Sequence, residues 1–537
     1  MGSGVVAVHA LSSIPGNDLV ADRGAGLERA LCEAQEAPGN RCAPLDRVAG
    51  DRAAEDPGAP GQAAEDAEAI INHPSSIIDA QGLYVHVPVC RSKCRYCGFY
   101  SVPAGGVDAG RLVRALVREL ERYDGRAFRT AYIGGGSPTA LPADELIGLV
   151  RRVREHCPAV GEFTVECNPG QVDGDLLAGL RDAGVDRLSV GAQSMLAGEL
   201  ELLGRGHSVE QVDEAVRLAR RAGFANLSLD LIFAIPGSTL ADWRASLEAA
   251  VGLDVEHVSA YSLSFEAGTV FDEWRRTGRL AAVDEELDRA MYEWAVERLE
   301  RAGLAQYEIS NFARPGFECR HNLGYWRNRP YVGIGPAAAS WLPTCDPEHG
   351  VRLHCGAPAD AIRQGGGWTE ATRAARARAQ AGPCEKAPGG GDVVSAAWRC
   401  ASDERQAASD EPGDGARATS HRLVGGAMRG RRCENDADVE RYVAAVEAGR
   451  EPPRVWQAVS AAEAACETAV LGLRTRAGID RADFRRRTGR EATAAFGEAI
   501  ERYEGLGLVE VTGRAVRLTR RALPIADAIL CDFAILE

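Results

Sequence analysis

The sequence predicts an α/β protein: a partial (β/α) barrel followed by a smaller α+β unit. Three observations point there. Between residues 81 and 341, short apolar runs alternate with amphipathic stretches, the pattern of a parallel sheet. Polar and glycine-rich motifs recur where those runs end, as they do at the ligand-binding rim of a barrel. After residue 431, helical patterning resumes and closes on two short strand-like segments.

Taken in order, residues 1–80 are rich in Ala, Gly, Asp and Glu with little apolar periodicity, and read as a disordered extension. Six buried strands are expected next: Leu83–Val89, Thr130–Ile133, Glu162–Cys167, Arg187–Gly191, Asn226–Phe233 and His257–Leu263. Helical stretches such as Arg111–Tyr123, Val209–Ala222 and Glu285–Ala302 lie between them. Six such units suggest a barrel or part of one. Residues 342–430 carry few apolar anchors and read as a low-complexity insertion; their cysteines, at irregular spacings, match no metal-site pattern. From 431 to 537 come the helices Ala461–Arg474, Arg481–Arg487 and Glu491–Tyr503, then the strands Leu508–Val511 and Ala515–Leu518. Helices followed by a β-ribbon suggest a winged-helix-like unit.

Composition excludes several classes. A formal net charge of −15 argues against a broad grip on nucleic acid or anionic lipid, and favours protein docking over DNA binding for the winged-helix-like unit. No apolar run approaches the roughly 20 residues of a membrane span. The first residues lack the basic start of a secretory signal, and the segment after them is too acidic for a mitochondrial leader. Fifteen cysteines, three of them tightly spaced, fit a reducing compartment, so a cytoplasmic location is expected.

The three spaced cysteines are Cys90, Cys94 and Cys97, directly after the first strand. Thiolates at these offsets can converge from one loop on a [4Fe–4S] cube and leave the fourth iron open. An amine and a carboxylate can chelate that iron, and S-adenosylmethionine (SAM) offers both. The alternatives are a zinc knuckle or three unlinked thiols; structural zinc wants four ligands, and no second CxxC pair stands at suitable spacing. Tyr96, between two of the ligands, can cover an adenine, shield a cluster or simply pack.

At the expected rim, Gly134, Gly135, Gly136 and Ser137 follow the second strand; residues without side chains let a ligand approach the backbone. The third strand ends at Glu166, and the fourth is followed by Gln193. Asp230, inside the apolar fifth strand, needs a partner if buried, and ribose hydroxyls would supply one. Arg205 could pair with a methionine carboxylate. Each residue alone could be structural; together they suggest a SAM pocket.

Over 83–341 and again from 431 onward, the chain resembles the HemW and HemN branch of radical SAM proteins. The resemblance lies in "YVHVPVCRSKCRYC", "YIGGGSPT", "VECNPG", "DRLSVGAQS", "LGRGHS", "NLSLDLIFAIPG", "YEISNFARPGFECRHNLGYW" and "YVGIGPAAAS". It implies a partial radical SAM barrel with Cys90, Cys94 and Cys97 as cluster ligands. It also places Tyr84, Gly136, Ser137, Glu166, Gln193, Arg205 and Asp230 at SAM-contacting positions. Ser137 departs from the more usual Thr but keeps a hydroxyl.

Within the branch, coproporphyrinogen III dehydrogenases carry a further cysteine two residues after the third ligand; here that place is Phe99. The HemW haem chaperones carry an HNxxYW motif, matched by His321, Asn322, Leu323, Gly324, Tyr325 and Trp326. Gly98 is a small departure, since the chaperones more often place an acid there. A neutral imidazole is a common axial ligand to haem iron, so His321 is a candidate ligand, with Cys319 the alternative. Tyr325 and Trp326 could pack on the porphyrin. Without the resemblance, the plainer reading is a helix-end histidine with two core aromatics. The resemblance implies haem binding and delivery to haemoproteins, with a flavodoxin or ferredoxin as electron donor. The competing expectation is radical decarboxylation of coproporphyrinogen III to protoporphyrinogen IX.

Overall fold

The computed structural model describes residues 81–124, 126–344 and 428–534. The extension at 1–80 and nearly all of the stretch at 342–430 therefore lie outside the described residues. Twelve strands form one sheet: β1 (Gln81–Val87), β2 (Phe128–Gly135), β3 (Glu162–Cys167), β4 (Arg187–Gln193), β5 (Asn226–Phe233), β6 (His257–Ser262), β7 (Ala305–Gln306), β8 (Asn311–Ala313), β9 (Tyr331–Ile334), β10 (Ala339–Thr344), β11 (Arg429–Asn435) and β12 (Arg454–Val459). Their order across the sheet is β12-β11-β10-β9-β1-β2-β3-β4-β5-β6-β8-β7. The seven strands from β9 to β6 are parallel, and both flanks are antiparallel. The sheet has two separate edges, β12 and β7, so it forms a partial barrel, as the strand–helix alternation predicts.

All six predicted strands are present within a few residues of their expected ends. The sequence reading missed β7 to β12; β7, β8 and β9 have only 2, 3 and 4 residues, and β11 reads RGRRCEN, charged where a buried strand would be apolar. β10 and β11 pair along their whole length, Ala339 to Glu434 through Thr344 to Arg429, although more than eighty residues separate them in sequence. The main sheet therefore takes two strands from beyond residue 428.

Strand alternation sorts the side chains. Leu83, Val85, Ala131, Ile133, Phe163, Val165, Leu188, Val190, Leu227 and Leu229 join the core beneath the surrounding helices. These helices include α1 (Ala109–Leu120), α2 (Ala143–His156), α3 (Gly174–Asp182), α4 (Val209–Arg221), α5 (Leu240–Gly252) and α6 (Glu285–Arg301). α5 begins with a reciprocal capping box between Thr239 and Asp242, which satisfies two otherwise orphaned backbone donors. The intervening strand positions face the barrel interior, and they are polar. One register row reads Gly82, Thr130, Glu162; the next Tyr84, Tyr132, Thr164, Arg187, Asn226; a third Glu166, Ser189, Ser228, His257.

The seven-residue helix α7 (Arg320–Trp326) packs against β1 and β2, at the end where the parallel strands begin. The C-terminal unit adds α8 (Val439–Glu447), α9 (Ala461–Leu473), α10 (Arg481–Thr488), α11 (Gly497–Gly505) and α12 (Ala526–Asp532). Its small antiparallel sheet orders β13 (Ile479–Asp480), β15 (Ala515–Leu518) and β14 (Val509–Val511), so the unit is of mixed helix and strand. The helix expected over Glu491–Tyr503 is in fact broken at Phe496 (φ −136°, ψ 36°). There the ring is buried between Phe484 and Phe533, at 6.1 and 5.5 Å, and core packing overrides helical propensity.

Candidate cofactor site at the barrel rim

The loop after β1 is held at both ends. Val89 and Cys90 pair in parallel with Val102 and Pro103, and Val102 N donates to Pro88 O at 2.7 Å. In the middle, Arg95 N donates to Leu203 O, and its guanidinium donates to the carbonyls of Glu201 and Leu202 at 2.9 and 3.0 Å. A cation thus covers the C-terminal carbonyls of the helix Ala197–Leu203, where the dipole favours it. Lys93 Nζ donates to Phe99 O at 2.9 Å. Between these ties stand Cys90, Cys94 and Cys97, all free thiols and all half-buried.

Burial pushes the Cys90 thiol up to about 11 and raises that of Cys97. Without metal these groups are protonated at neutral pH, so binding iron must release protons. Among the described residues no three His, Cys, Asp or Glu side chains gather closely enough for one metal ion.

The loop opens on a cleft continuous with solvent. It is lined by the three cysteines together with Tyr96, Gly135, Gly136, Ser137, Glu166, Gln193, Arg205 and Asp230. The structure thus brings most of the sequence-predicted residues to one rim. Gly136 is required there, since a Cβ would lie 2.6 Å from Val89 O, and a Cβ at Gly134 would lie 2.7 Å from the Glu166 carboxyl carbon and displace that side chain. Glu166 accepts from Tyr132 OH at 2.8 Å and from Gly135 N at 3.2 Å. Burial outweighs those donors and lifts its carboxyl to about 7.

Gln193 sits in the left-handed region at φ 68°, just past a register shift between β4 and β5, and its buried Oε1 has no hydrogen-bond partner. A strained, unsatisfied amide at a cleft is a feature that ligand contact explains. Arg205 donates to Gly191 O at 2.8 Å and to Cys94 Sγ at 3.4 Å, leaving its Nε without a partner. Tyr96 lines the cleft and packs against Leu203, Ile232 and Phe271.

Asp230 lines the cleft and also accepts from Ser189 Oγ at 3.0 Å. Tyr84 is absent from the cleft lining. It faces inward like Glu166 but one register row deeper, buried with its ring 6.2 Å from that of Tyr132. Sequence reading also missed Ser189 and Gln171. Gln171 Oε1 accepts from Ser137 Oγ at 2.8 Å and from Thr139 Oγ1 at 3.1 Å. Only its nearness to the Asn168-Pro169 turn could have signalled it.

The largest correction concerns His321, Tyr325 and Trp326. They lie at the opposite end of the barrel, 2%, 4% and 2% exposed. The His321 Nδ1 contacts Thr130 Oγ1 at 2.8 Å, and its Nε2 contacts Tyr325 OH at 3.0 Å. Neither ring nitrogen is free for iron in this conformation, and burial with the nearby Arg187 charge pushes the imidazole down to about 3. Cys319, the alternative ligand, is fully buried, with its thiol donating to Glu162. The plainer reading, a helix-end histidine with core aromatics, describes this geometry.

Residues 84–250 match the Radical SAM superfamily, and residues 459–525 match the HemN C-terminal domain. The chain is 38% identical over 261 residues to the heme chaperone HemW of Lactococcus lactis, covering 48% of this chain and 69% of that one. It is 41% identical over 270 residues to the heme chaperone HemW of Mycobacterium tuberculosis, covering 49% and 69%. The structure of coproporphyrinogen III oxidase (HemN) from Escherichia coli, a radical SAM enzyme, superposes with a TM-score of 0.59 over 88% of this chain and 93% of that one. At 17% identity that likeness shows the shared fold alone. With relatives of such identity matched over more than two thirds of their length, this chain belongs to the HemW family of radical SAM proteins.

Proposed function

We propose that the protein binds haem and delivers it to haemoproteins, and that Cys90, Cys94 and Cys97 hold a [4Fe–4S] cluster beside a SAM site. The observation that carries the cofactor assignment is the meeting of three half-buried free thiols with Glu166, Gln193, Arg205 and Asp230 around one cleft. When bound, the cluster and SAM would supply one-electron chemistry or an occupancy signal. The chain's own residues hold and orient. Gly135 and Gly136 let the ligand lie against the backbone, and Ser137 offers a hydroxyl. Arg205, 3.4 Å from Cys94, would set a positive charge between thiolate and ligand carboxylate. Haem delivery is supported by the names of the relatives and by Phe99, which stands where the dehydrogenases have a further cysteine.

The winged-helix-like unit would dock the acceptor haemoprotein, and a flavodoxin or ferredoxin would supply electrons. Among the described residues no helix is long and apolar enough to cross a membrane. The test is anaerobic reconstitution followed by haem loading and exposure to an apo-haemoprotein. Transfer of haem to the acceptor supports the reading. Turnover of coproporphyrinogen without haem retention would replace it with the dehydrogenase.

A pH dependence arises from Glu166. Ligand hydroxyls donating to this carboxyl favour its ionised form, but the free protein protonates it below about 7. SAM affinity should therefore rise with pH through about 7, with uptake of SAM releasing a proton below that point. Isothermal titration in buffers of different ionisation enthalpy reads this directly, and Glu166→Gln should flatten the profile. The stability sign is opposite. A raised carboxyl pKa makes the unfolded chain give up its proton first, so the cofactor-free fold loses stability as pH climbs from about 4.5 through about 7.

A further inference from the structure

We infer that the His321–Trp326 helix is a latch joining the cofactor cleft to the C-terminal unit, and that His321 is a positioning residue rather than a haem ligand. The inference rests in part on reading the rim cleft as the SAM site. Its basis is an unbroken set of contacts running down the barrel interior and out through its base.

At the top, Glu166 lines the cleft and takes the Tyr132 hydroxyl at 2.8 Å. The Tyr132 ring stacks on His321, with centroids 5.2 Å apart and planes 29° apart. His321 fills the space beside Gly82, where a Cβ would come within 3.1 Å of its ring. The helix start is anchored independently: Glu162 accepts from the backbone N–H groups of Arg320 and His321, both at 2.9 Å. A buried carboxylate on the first turn of a helix satisfies donors that would otherwise be orphaned.

At the far end, the same helix grips the C-terminal unit. Tyr325 and Trp326 pack against Leu471 of α9, and the Arg474 guanidinium lies 5.3 Å from the Trp326 ring centroid. Asn328 Nδ2 donates to Thr468 Oγ1 at 3.0 Å. Arg487 of α10 donates to the carbonyls of Arg327 and Asn328, so its cation covers the end of α7. Asn328 itself adopts φ 49°, the left-handed turn that brings those carbonyls round to Arg487. Each end of α7 is thus fixed to a different part of the protein, and His321 spans the two through Thr130, Tyr132 and Tyr325.

The experiment uses the full chain, with amide hydrogen exchange over 461–488 measured without cofactor and then with SAM on the reconstituted protein. In the cofactor-free state, His321→Ala should speed exchange over 461–473 by about tenfold or more, the worth of one or two buried hydrogen bonds. Tyr325→Phe, which removes only the hydroxyl, should move it in the same direction by less. His321→Gln, which keeps a polar group within reach of Thr130 and Tyr325, should restore most of the protection. SAM should slow exchange over 461–488 in the wild type, and His321→Ala should lose that response while still binding SAM.

Unchanged exchange in both His321→Ala and Tyr325→Phe would overturn the latch. So would a His321→Gln chain that is as protected as the wild type yet loses its bound-haem Soret band, since that marks a ligand. Should His321→Ala not fold, Tyr325→Phe and His321→Gln still decide between the two roles. If the wild type binds no SAM by calorimetry, the cleft assignment fails separately, and the cofactor-free exchange still judges the latch.

Discussion

A chain carrying Cys94→Ala is expected to fold, to take up no [4Fe–4S] cluster, and to bind SAM at least about 100-fold more weakly, a loss of roughly 2.8 kcal/mol. Cys94 is the middle of three ligands, and two thiolates cannot hold a cube that already leaves one iron open. It also accepts the Arg205 Nη1 hydrogen bond at 3.4 Å, so its removal loosens the cation proposed to meet the ligand carboxylate. The fold should survive because the loop is tied by other groups: Arg95 on the carbonyls of Glu201 and Leu202, and Lys93 on Phe99 O. Iron and sulfide analysis after anaerobic reconstitution, with SAM calorimetry, reads both effects. Full cluster content in Cys94→Ala would move the ligand set elsewhere.

The largest expected effect on stability lies at Glu119, a fully buried carboxylate on α1. It accepts from Gly335 N at 2.8 Å, Asn435 Nδ2 at 3.0 Å, Tyr442 OH at 2.7 Å and Arg454 Nη2 at 2.7 Å. Three of those four donors come from beyond residue 428, so this one side chain fastens the late strands β11 and β12 and the helix α8 to the barrel. Glu119→Ala would leave the Arg454 guanidinium, only 7% exposed, buried without its charge partner. Breaking a buried pair in this way costs about 3–5 kcal/mol. Urea unfolding should show a lower midpoint with an unchanged slope if the two-state transition is kept. Glu119→Gln should cost less, since it still accepts hydrogen bonds.

How much of this was legible in the sequence depends on how local the signal is. The six central strands were legible because each alternates apolar outward residues with inward ones between turn signals. β11 was not: RGRRCEN earns its place by pairing with β10 and β12 rather than by its own composition. Cys90, Cys94 and Cys97 were legible because their spacing alone puts them on one loop. Glu166 and Gln193 were legible at strand ends and Asp230 as an acid inside an apolar strand, and Arg205 as a cation able to meet a carboxylate, but their partners were not; Ser189 reaches Asp230 from a neighbouring strand 41 residues away. Tyr84 points to the same inward face as Glu166 but stands one register row deeper, a difference in depth that the motif alone does not show. His321 shows another such limit. The same six residues would suit a solvent-facing porphyrin clasp or a barrel plug. Thr130 and Glu162, 191 and 159 residues away, decide for the plug.

The most direct test of haem carriage is an anaerobic haem titration of the reconstituted full-length chain, followed in the Soret region and then mixed with an apo-haemoprotein. The expected result is a saturable, stoichiometric Soret band that passes to the acceptor on mixing. Weak, unsaturable haem binding together with formation of protoporphyrinogen from coproporphyrinogen would contradict haem delivery and leave a decarboxylating enzyme in its place.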